Sequence, residues 1–287
     1  MRRCPSGLVL LAILIVGACG PTAGSPKAGS PSAGDGRASA APATAAVPSP
    51  TAAITSSPTA SAAADWTLVA FGDSWPYGAH CNGCEPFPEL YVSGLEAATG
   101  RTIEFVDLIT NGGTSKSLAD DMAASSRVRD AIARADIIVI STGANDLESA
   151  GQAWTSGTCG GSDGLDCFRA VADGWHTNFD AMLTTIDELR GDRPTAVRLV
   201  TNSNEFLADK DLIDYFGADF GLREGAAITA MHHDALCKVA SAHGRACVDL
   251  RPVLNGPTFD KPQDVNTQEA MQAVADALVA SGVAELR

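Results

Sequence analysis

Short apolar runs alternate with longer segments of helical periodicity between residues 66 and 281. The first run, WTLVAF at residues 66–71, is followed by Gly72 and predicts a strand. The run DIIVIS at 136–141 is apolar throughout its middle, as expected of a strand that is covered on both faces. The five predicted strands are 66–71, 102–109, 136–141, 196–200 and 246–250.

Apolar residues recur at helical spacing between and after these strands. The first such segment ends before Gly100, a typical C-cap, and the last begins at Asn266, where Glu269 completes a capping-box-like pattern. The alternation predicts an α/β fold, a three-layer α/β/α sandwich around a five-stranded parallel sheet. The predicted helices are 89–99, 118–135 with a break near 125, 167–189, 226–243 and 266–281.

The first 19 residues have the layout of a secretory signal peptide: two arginines, an apolar run over 8–16 and then small residues. This run is too short to span a membrane. Residues 16–19, Val-Gly-Ala-Cys, resemble a bacterial lipobox, which implies cleavage before Cys19 and its lipidation. The alternative is an ordinary signal peptide that is cut nearby. We expect an exported protein that is tethered to the outer face of the bacterial cell membrane by Cys19 alone.

Residues 20–64 consist of Pro, Ala, Gly, Ser and Thr at all but five positions and contain no aromatic residue. Such a segment cannot bury enough apolar surface to offset the entropy lost on ordering. We therefore expect a disordered tether over 20–64 and a folded domain over 65–287.

The chain has 287 residues, with 20 Lys and Arg against 34 Asp and Glu, and a formal net charge of −14. Nucleic-acid binding requires a basic face, and adhesion to anionic lipid requires a basic patch, so this balance argues against both. It is typical of a secreted domain that stays dispersed, and we expect a monomer without a nucleic-acid partner.

Six cysteines fall in the predicted domain, and an even number in an exported protein indicates disulfides. The alternative for the first two is a metal or redox CxxC motif, but zinc needs two further ligands and only His80 is nearby. We expect no metal and no cofactor. The connectivity is open, and pairing of sequence neighbours would join Cys81 with Cys84, Cys159 with Cys167, and Cys237 with Cys247.

Polar, glycine-containing loops follow the first three predicted strands, and the carboxyl ends of parallel strands are where ligands bind. A serine hydroxyl in such a loop, Ser74, is a nucleophile if a base takes its proton. Attack on an ester creates an oxyanion, which backbone N–H groups and a carboxamide can stabilise. The N–H groups of Ser74 and Gly112 and the side chain of Asn145 are candidates for these donors.

These loops resemble the sequence blocks of the SGNH (GDSL) hydrolase family. Residues 71–74 (FGDS) are similar to the first block, 111–115 (NGGTS) to the second and 143–146 (GAND) to the third. The resemblance covers nearly all of residues 66–281 and implies a flavodoxin-like topology. It also implies that Ser74 is the nucleophile and that Gly112 and Asn145 are oxyanion donors.

The fourth block of the family, an Asp and a His three residues apart before the final helix, has no match. The alignment places Val265 where the histidine belongs, and no histidine follows His243. His80, in the loop after Ser74, and Asp264 are the candidate substitutes for the base. His176, His232 and His233 are weaker candidates, and we expect His243 to complement a helix dipole.

The resemblance implies an exported serine esterase or deacylase that acts on carboxylic esters, with short acyl groups favoured because the domain has no long apolar lid segment. Residues 205–223 are a possible substrate-facing insertion. Two alternatives remain open. The first is a non-catalytic surface protein that binds a ligand on the same scaffold, which the absent histidine favours. The second is an acyltransferase that acts on cell-wall glycan, so the expected partner is a small ester or an acylated glycan.

Overall fold

The computed structural model describes residues 64–287, so the expected signal peptide, the lipidation of Cys19 and nearly all of the expected tether lie outside the described residues. The strands of the described region are β1 Trp66–Gly72, β2 Ile103–Asp107, β3 Ile137–Ser141, β4 Ala196–Val200 and β5 Ala246–Val248. They form a five-stranded, all-parallel sheet with the strand order β2-β1-β3-β4-β5. This confirms the predicted fold class.

Helices cover both faces of the sheet. Alternate residues of each strand point to opposite sides, so each strand contributes apolar side chains to both faces. The helices of the described region are α1 Phe87–Thr99, α2 Ser115–Ala124, α3 Ser126–Arg134, α4 Glu148–Thr155, α5 Asp166–Arg190, α6 Lys210–Phe216, α7 Ala226–Ala242, α8 Arg251–Leu254 and α9 Gln268–Ala280. Val69 and Phe71 pack with α2, α3, α5 and α7, whereas Leu68 and Ala70 pack with α1 and α9.

Two helix boundaries test the sequence analysis directly. Ser125 ends α2 and caps α3, as the predicted break near this residue requires. The predicted start of the last helix at Asn266 is wrong, because Thr267 is the N-cap and accepts a hydrogen bond from the Ala270 N–H at 3.2 Å. The Asn266 N–H instead donates to the Asp264 carboxylate at 2.9 Å, which holds the chain in a turn before α9.

Disulfides join sequence neighbours among the six cysteines of the described region. One lies in the loop after β1, one joins the segment after α4 to the start of α5, and one joins α7 to β5. The bonded pairs are Cys81 with Cys84, Cys159 with Cys167, and Cys237 with Cys247.

Within residues 64–287, no helix combines the length and the apolar character needed to cross a membrane.

Candidate active site

Ser74 lies half-buried in the loop that directly follows β1. The chain turns here because Gly72 has no side chain: a Cβ atom at this position would lie 2.5 Å from the Ser141 carbonyl oxygen and closer still to Pro76. Glycine therefore lets the end of β1 approach β3 closely. This contact places Ser74 beside the loop that follows β3.

The carboxylate of Asp73 joins the first loop to the third. It is buried and accepts hydrogen bonds from the N–H of Trp75 at 3.2 Å and from the N–H groups of Gly143 and Ala144. Burial raises the pKa of Asp73 to about 6, although these hydrogen bonds oppose the shift. Asp73 thus ties the residue after the serine to the third loop rather than facing solvent.

The second loop is held against the first and the third by hydrogen bonds. The Thr110 N–H donates to the Gly72 carbonyl at 3.0 Å, and the Asn145 side-chain amide donates to the Gly113 carbonyl at 2.8 Å. Gly112, between them, has φ +78°, which favours glycine. Three of the residues that the sequence singles out, Ser74, Gly112 and Asn145, therefore lie in three loops that are bonded to one another.

A second set of polar contacts supports the third loop from the side of α2 and α5. The Ser115 hydroxyl donates to Asp146 at 2.5 Å, and the Ser115 N–H donates to the same carboxylate at 2.9 Å. The Asn178 amide donates to the Ser115 hydroxyl at 2.8 Å. This network fixes the residue that follows Asn145, and so limits the motion of the candidate oxyanion amide.

His232 is a structural part of the third loop rather than a base for Ser74. It is buried, its Nε2 is 3.2 Å from the Thr142 carbonyl, and its Nδ1 is 3.1 Å from the Asn202 N–H. Burial lowers the pKa of His232 to about 4, so the ring is neutral at pH 7 and donates from Nε2 to Thr142. The ring lies so close to Gly143 that a Cβ there would be 2.7 Å from Nε2.

None of the five histidines, all of which lie within the described region, hydrogen-bonds to Ser74. His80 and His176 are exposed. His233 lies 3.0 Å from Asp234, and His243 lies between two carboxylates of α5. His243 therefore pairs with side chains rather than only complementing a helix dipole; its carboxylate partners are Asp187 at 2.7 Å and Asp180 at 3.1 Å.

Val265, which the sequence resemblance aligns with a histidine, lies next to the first loop. The indole N–H of Trp75 donates to the Val265 carbonyl at 3.1 Å, and the Val265 side chain is buried with the core beneath α1 and α9. The neighbouring candidate, Asp264, is exposed and accepts the Asn266 N–H in the turn before α9. The loop is thus placed beside the Ser74 loop, but its side chain at 265 cannot exchange a proton.

Glu205 is a titratable group that the sequence analysis named only as the start of an insertion. It lies at the same edge of the sheet, in a short 3-10 turn after β4, and is partly buried. Burial raises the pKa of Glu205 to about 7, and the negative charges of Asp73 and Asp209 add to this shift. Because ligands bind at the carboxyl ends of parallel strands, the sequence could have indicated the segment after β4 as well as Ser74. The burial that shifts the pKa of Glu205 comes from long-range packing, which the sequence does not show.

Comparisons with known proteins add information about the fold. No protein-family model and no curated protein match this sequence. Among solved structures, a lipase from a goat rumen metagenome superposes with a TM-score of 0.62 at 18% identity, covering 77% of this chain and 100% of the lipase. A variant of an acetyl-xylooligosaccharide esterase from Geobacillus gives a TM-score of 0.51 at 14% identity, covering 78% of this chain and 97% of the esterase.

A GDSL-like lipase from Parabacteroides merdae gives a TM-score of 0.50 at 13% identity, covering 76% of this chain and 95% of the lipase. At such identities the likeness establishes a shared fold. The chain thus has the three-layer α/β/α fold of these lipases and esterases, with a serine, an exposed glycine and a carboxamide in loops at the carboxyl edge of its sheet.

Proposed function

We propose that this protein is a serine hydrolase of carboxylic esters that belongs to the SGNH (GDSL) family. The observation that carries the proposal is the hydrogen bond from the Asn145 amide to the Gly113 carbonyl at 2.8 Å, which sets the carboxamide beside Gly112. One amide hydrogen is used in this bond, and the other remains for a substrate. The ester-cleaving neighbours of the same fold support the proposal.

The proposed reaction has two steps. The Ser74 oxygen attacks the ester carbonyl carbon as a base removes the hydroxyl proton, and the carbonyl oxygen becomes an oxyanion. The N–H groups of Ser74 and Gly112 and the Asn145 amide stabilise that charge. The tetrahedral intermediate expels the alcohol, which receives the proton, and leaves an acyl group on Ser74. Water then attacks the acyl-enzyme, releasing the carboxylic acid and restoring the hydroxyl.

Glu205, which lies at the same edge of the sheet as Ser74, is the base that we propose for the Ser74 proton. A base works best when its pKa is near the working pH, and the pKa of Glu205 is about 7. Its electrostatic interaction with Asp73, the residue before the nucleophile, supports this role. His80 and Asp264 are weaker candidates, because both are exposed and Asp264 is engaged in the turn before α9.

The cellular setting is also a proposal. The signal-like residues 1–19 and the lipobox-like motif at Cys19 support export and attachment to the membrane through lipid, with 20–64 as the tether. The substrate is then an ester outside the cell, with a short acyl group on a small alcohol or on a glycan. Dependence of turnover on an added sugar acceptor would distinguish acyl transfer to glycan from hydrolysis.

One observation favours a second function, that of a surface binding protein without turnover. The sequence resemblance aligns Val265 with the usual base, and the Trp75 indole donates to the Val265 carbonyl group. Loss of a triad histidine in a serine protease typically lowers kcat by about a million-fold. A chain that keeps the oxyanion donors but lacks an efficient base could still hold an ester or a carboxylate.

Labelling with a fluorophosphonate separates the two functions, because this probe reacts only with a nucleophilic serine. We expect the wild-type protein to be labelled, the Ser74→Ala variant to be unlabelled and the Ser93→Ala variant, altered at an exposed serine of α1, to be labelled normally. Absence of label on the wild type would favour the binding protein. Equal labelling of wild type and Ser74→Ala would place the nucleophile elsewhere.

A further inference from the structure

A cavity of about 180 Å³ lies at the carboxyl edge of the sheet on the β4 and β5 side, one residue away from Glu205. It is bounded by the segment after β4, by the start of α7 and by the loop of residues 255–261. Pockets for drug-sized ligands typically enclose about 300–1,000 Å³, so this cavity has room for one small ring. Its walls include Asn204, Leu222, Arg251, Thr258, Phe259 and Asp260.

The loop of residues 255–261 is rigidly attached to the base of the cavity. Asn255 is fully buried, accepts the Asn204 N–H at 2.7 Å and donates to the Asn204 carbonyl at 3.3 Å. The same amide donates to the Lys261 carbonyl at 3.2 Å, which closes the loop on itself. The backbone of this loop is therefore fixed, and so are the positions from which its side chains extend.

Phe259, at the tip of this loop, has a strained and exposed conformation. Its φ is +61°, the only positive value at a non-glycine residue in the described region, and its side chain is 38% exposed. Such a backbone conformation costs free energy in a bulky residue, and such strain clusters at functional sites. A solvent-facing aromatic ring is thus held at the mouth of the cavity, beside the exposed Leu222.

The polar groups around the ring set the chemistry of a ligand. The Arg251 guanidinium lies 4.9 Å from the centre of the Phe259 ring and is paired with Asp249 at 2.8 Å, so its charge is already balanced. The Asp260 carboxylate accepts the Thr258 hydroxyl at 2.5 Å and faces solvent with further acceptor capacity. The mouth therefore offers an apolar surface beside hydrogen-bonding groups, without a net positive charge to attract an anion.

We infer that this cavity is a subsite for one neutral sugar ring of a glycan. A pyranose has an apolar face, which suits the Phe259 ring and Leu222, and hydroxyl groups at its edge, which suit Asp260, Thr258 and Arg251. An alkyl chain would fill the same volume but would desolvate these polar groups without replacing their hydrogen bonds, which is unfavourable. The identity of the substrate rests on the proposed function: a sugar ring bound here and an ester cleaved at Ser74 together imply an acylated glycan.

Binding can be measured without turnover, so the test does not depend on the proposed esterase activity. The full chain with Ser74→Ala would be titrated by calorimetry with xylotriose and with triacetylchitotriose as sugar probes, and with hexanol as an alkyl probe. We expect binding of at least one trisaccharide and none of hexanol. Binding of hexanol alone, or of no probe at millimolar concentration, would overturn the inference.

Phe259→Gly is the decisive variant, because glycine accepts a φ of +61° without strain. We expect its melting temperature to equal or exceed that of the parent, while its Kd for the sugar rises roughly tenfold through loss of the aromatic contact. Tyr215→Ala, which removes another exposed aromatic ring outside the cavity, should bind as the parent does. Unchanged sugar binding by a well-folded Phe259→Gly protein would place the sugar elsewhere.

Discussion

The indole N–H of Trp75 donates to the carbonyl oxygen of Val265 at 3.1 Å, across 190 residues of sequence. This bond places the loop before α9 beside the residue that follows Ser74. The loop that carries Val265 is therefore held against the loop of the proposed nucleophile.

The Val265→His substitution tests this placement. The loop of residue 265 is bonded to the loop of Ser74, and an imidazole that reaches the Ser74 hydroxyl can act as a general base, so we predict a rise in kcat for a small ester of roughly tenfold or more. The Val265 side chain is only 4% exposed, so the polar ring should also lower the free energy of unfolding by about 1–3 kcal/mol. Val265→Leu is the matched control, since it perturbs the same site without a titratable group. A similar change in rate for both variants would show that proton transfer is not involved.

The ends of a strand could be predicted from the sequence where both faces of that strand are apolar. For β3 and β4 the predicted and observed ends agree within one residue, because a strand that is buried on both sides reads as a continuous apolar run. The second strand was predicted too long, because its regular pairing ends at Asp107, although the Leu108 N–H still donates to the Ala70 carbonyl of β1 at 3.0 Å. The Ile109 N–H turns back to the Asp107 side chain at 2.8 Å, and such a local turn leaves the apolar pattern of the sequence unchanged.

The short elements between strands could not be predicted. Helices α4 and α6 and the π-helical turn Gly221–Gly225 are short, and their form depends on packing of Phe216 and Phe220 against Trp154. Of the site, the loops at Ser74, Gly112 and Asn145 were identifiable from their residues and order. The raised pKa of Glu205 was not, because it depends on burial that only the folded chain creates.

The role of Asn145 is tested by Asn145→Ala. We predict a fall in kcat of about 100- to 1,000-fold, the usual effect of removing one oxyanion donor. The same change removes the bond to the Gly113 carbonyl, so a structural effect must be measured separately. Asn178→Ala supplies the control, because this amide supports the third loop through Ser115 but is not a proposed oxyanion donor. If the control loses as much activity as Asn145→Ala, the loss arises from the loop and not from the oxyanion.

Glu205→Gln tests the proposed base through the pH dependence of the rate. A base acts only when deprotonated, so the wild-type kcat/KM should rise with pH through about 7, the pKa of Glu205. The Glu205→Gln variant should be slower and should lack this rise, since the carboxamide does not titrate. Asp264→Asn should retain the wild-type profile. If the rise of kcat/KM with pH is lost in Asp264→Asn, or persists in Glu205→Gln, the base is another group.

His232 makes folding stability depend on pH. Its pKa falls from about 6.5 in the unfolded chain to about 4 in the folded protein, so only the unfolded chain takes up a proton between these values. The free energy of unfolding should therefore fall by about 3 kcal/mol from this group as the pH drops from about 6.5 to 4.

His232→Gln removes this titration while keeping an amide that can donate to Thr142 and accept from Asn202. The stability difference between wild type and variant, measured by denaturant unfolding, should be largest above pH 7 and should shrink towards pH 4. Parallel stability curves for the two proteins would mean that His232 does not titrate as its burial implies.

Turnover of p-nitrophenyl acetate by purified wild type and Ser74→Ala, with Ser93→Ala as the control, tests most directly whether Ser74 is the nucleophile of an ester hydrolase. We predict measurable turnover by wild type and Ser93→Ala, and a Ser74→Ala rate indistinguishable from the reaction without enzyme. Equal rates for wild type and Ser74→Ala would show that Ser74 is not the nucleophile.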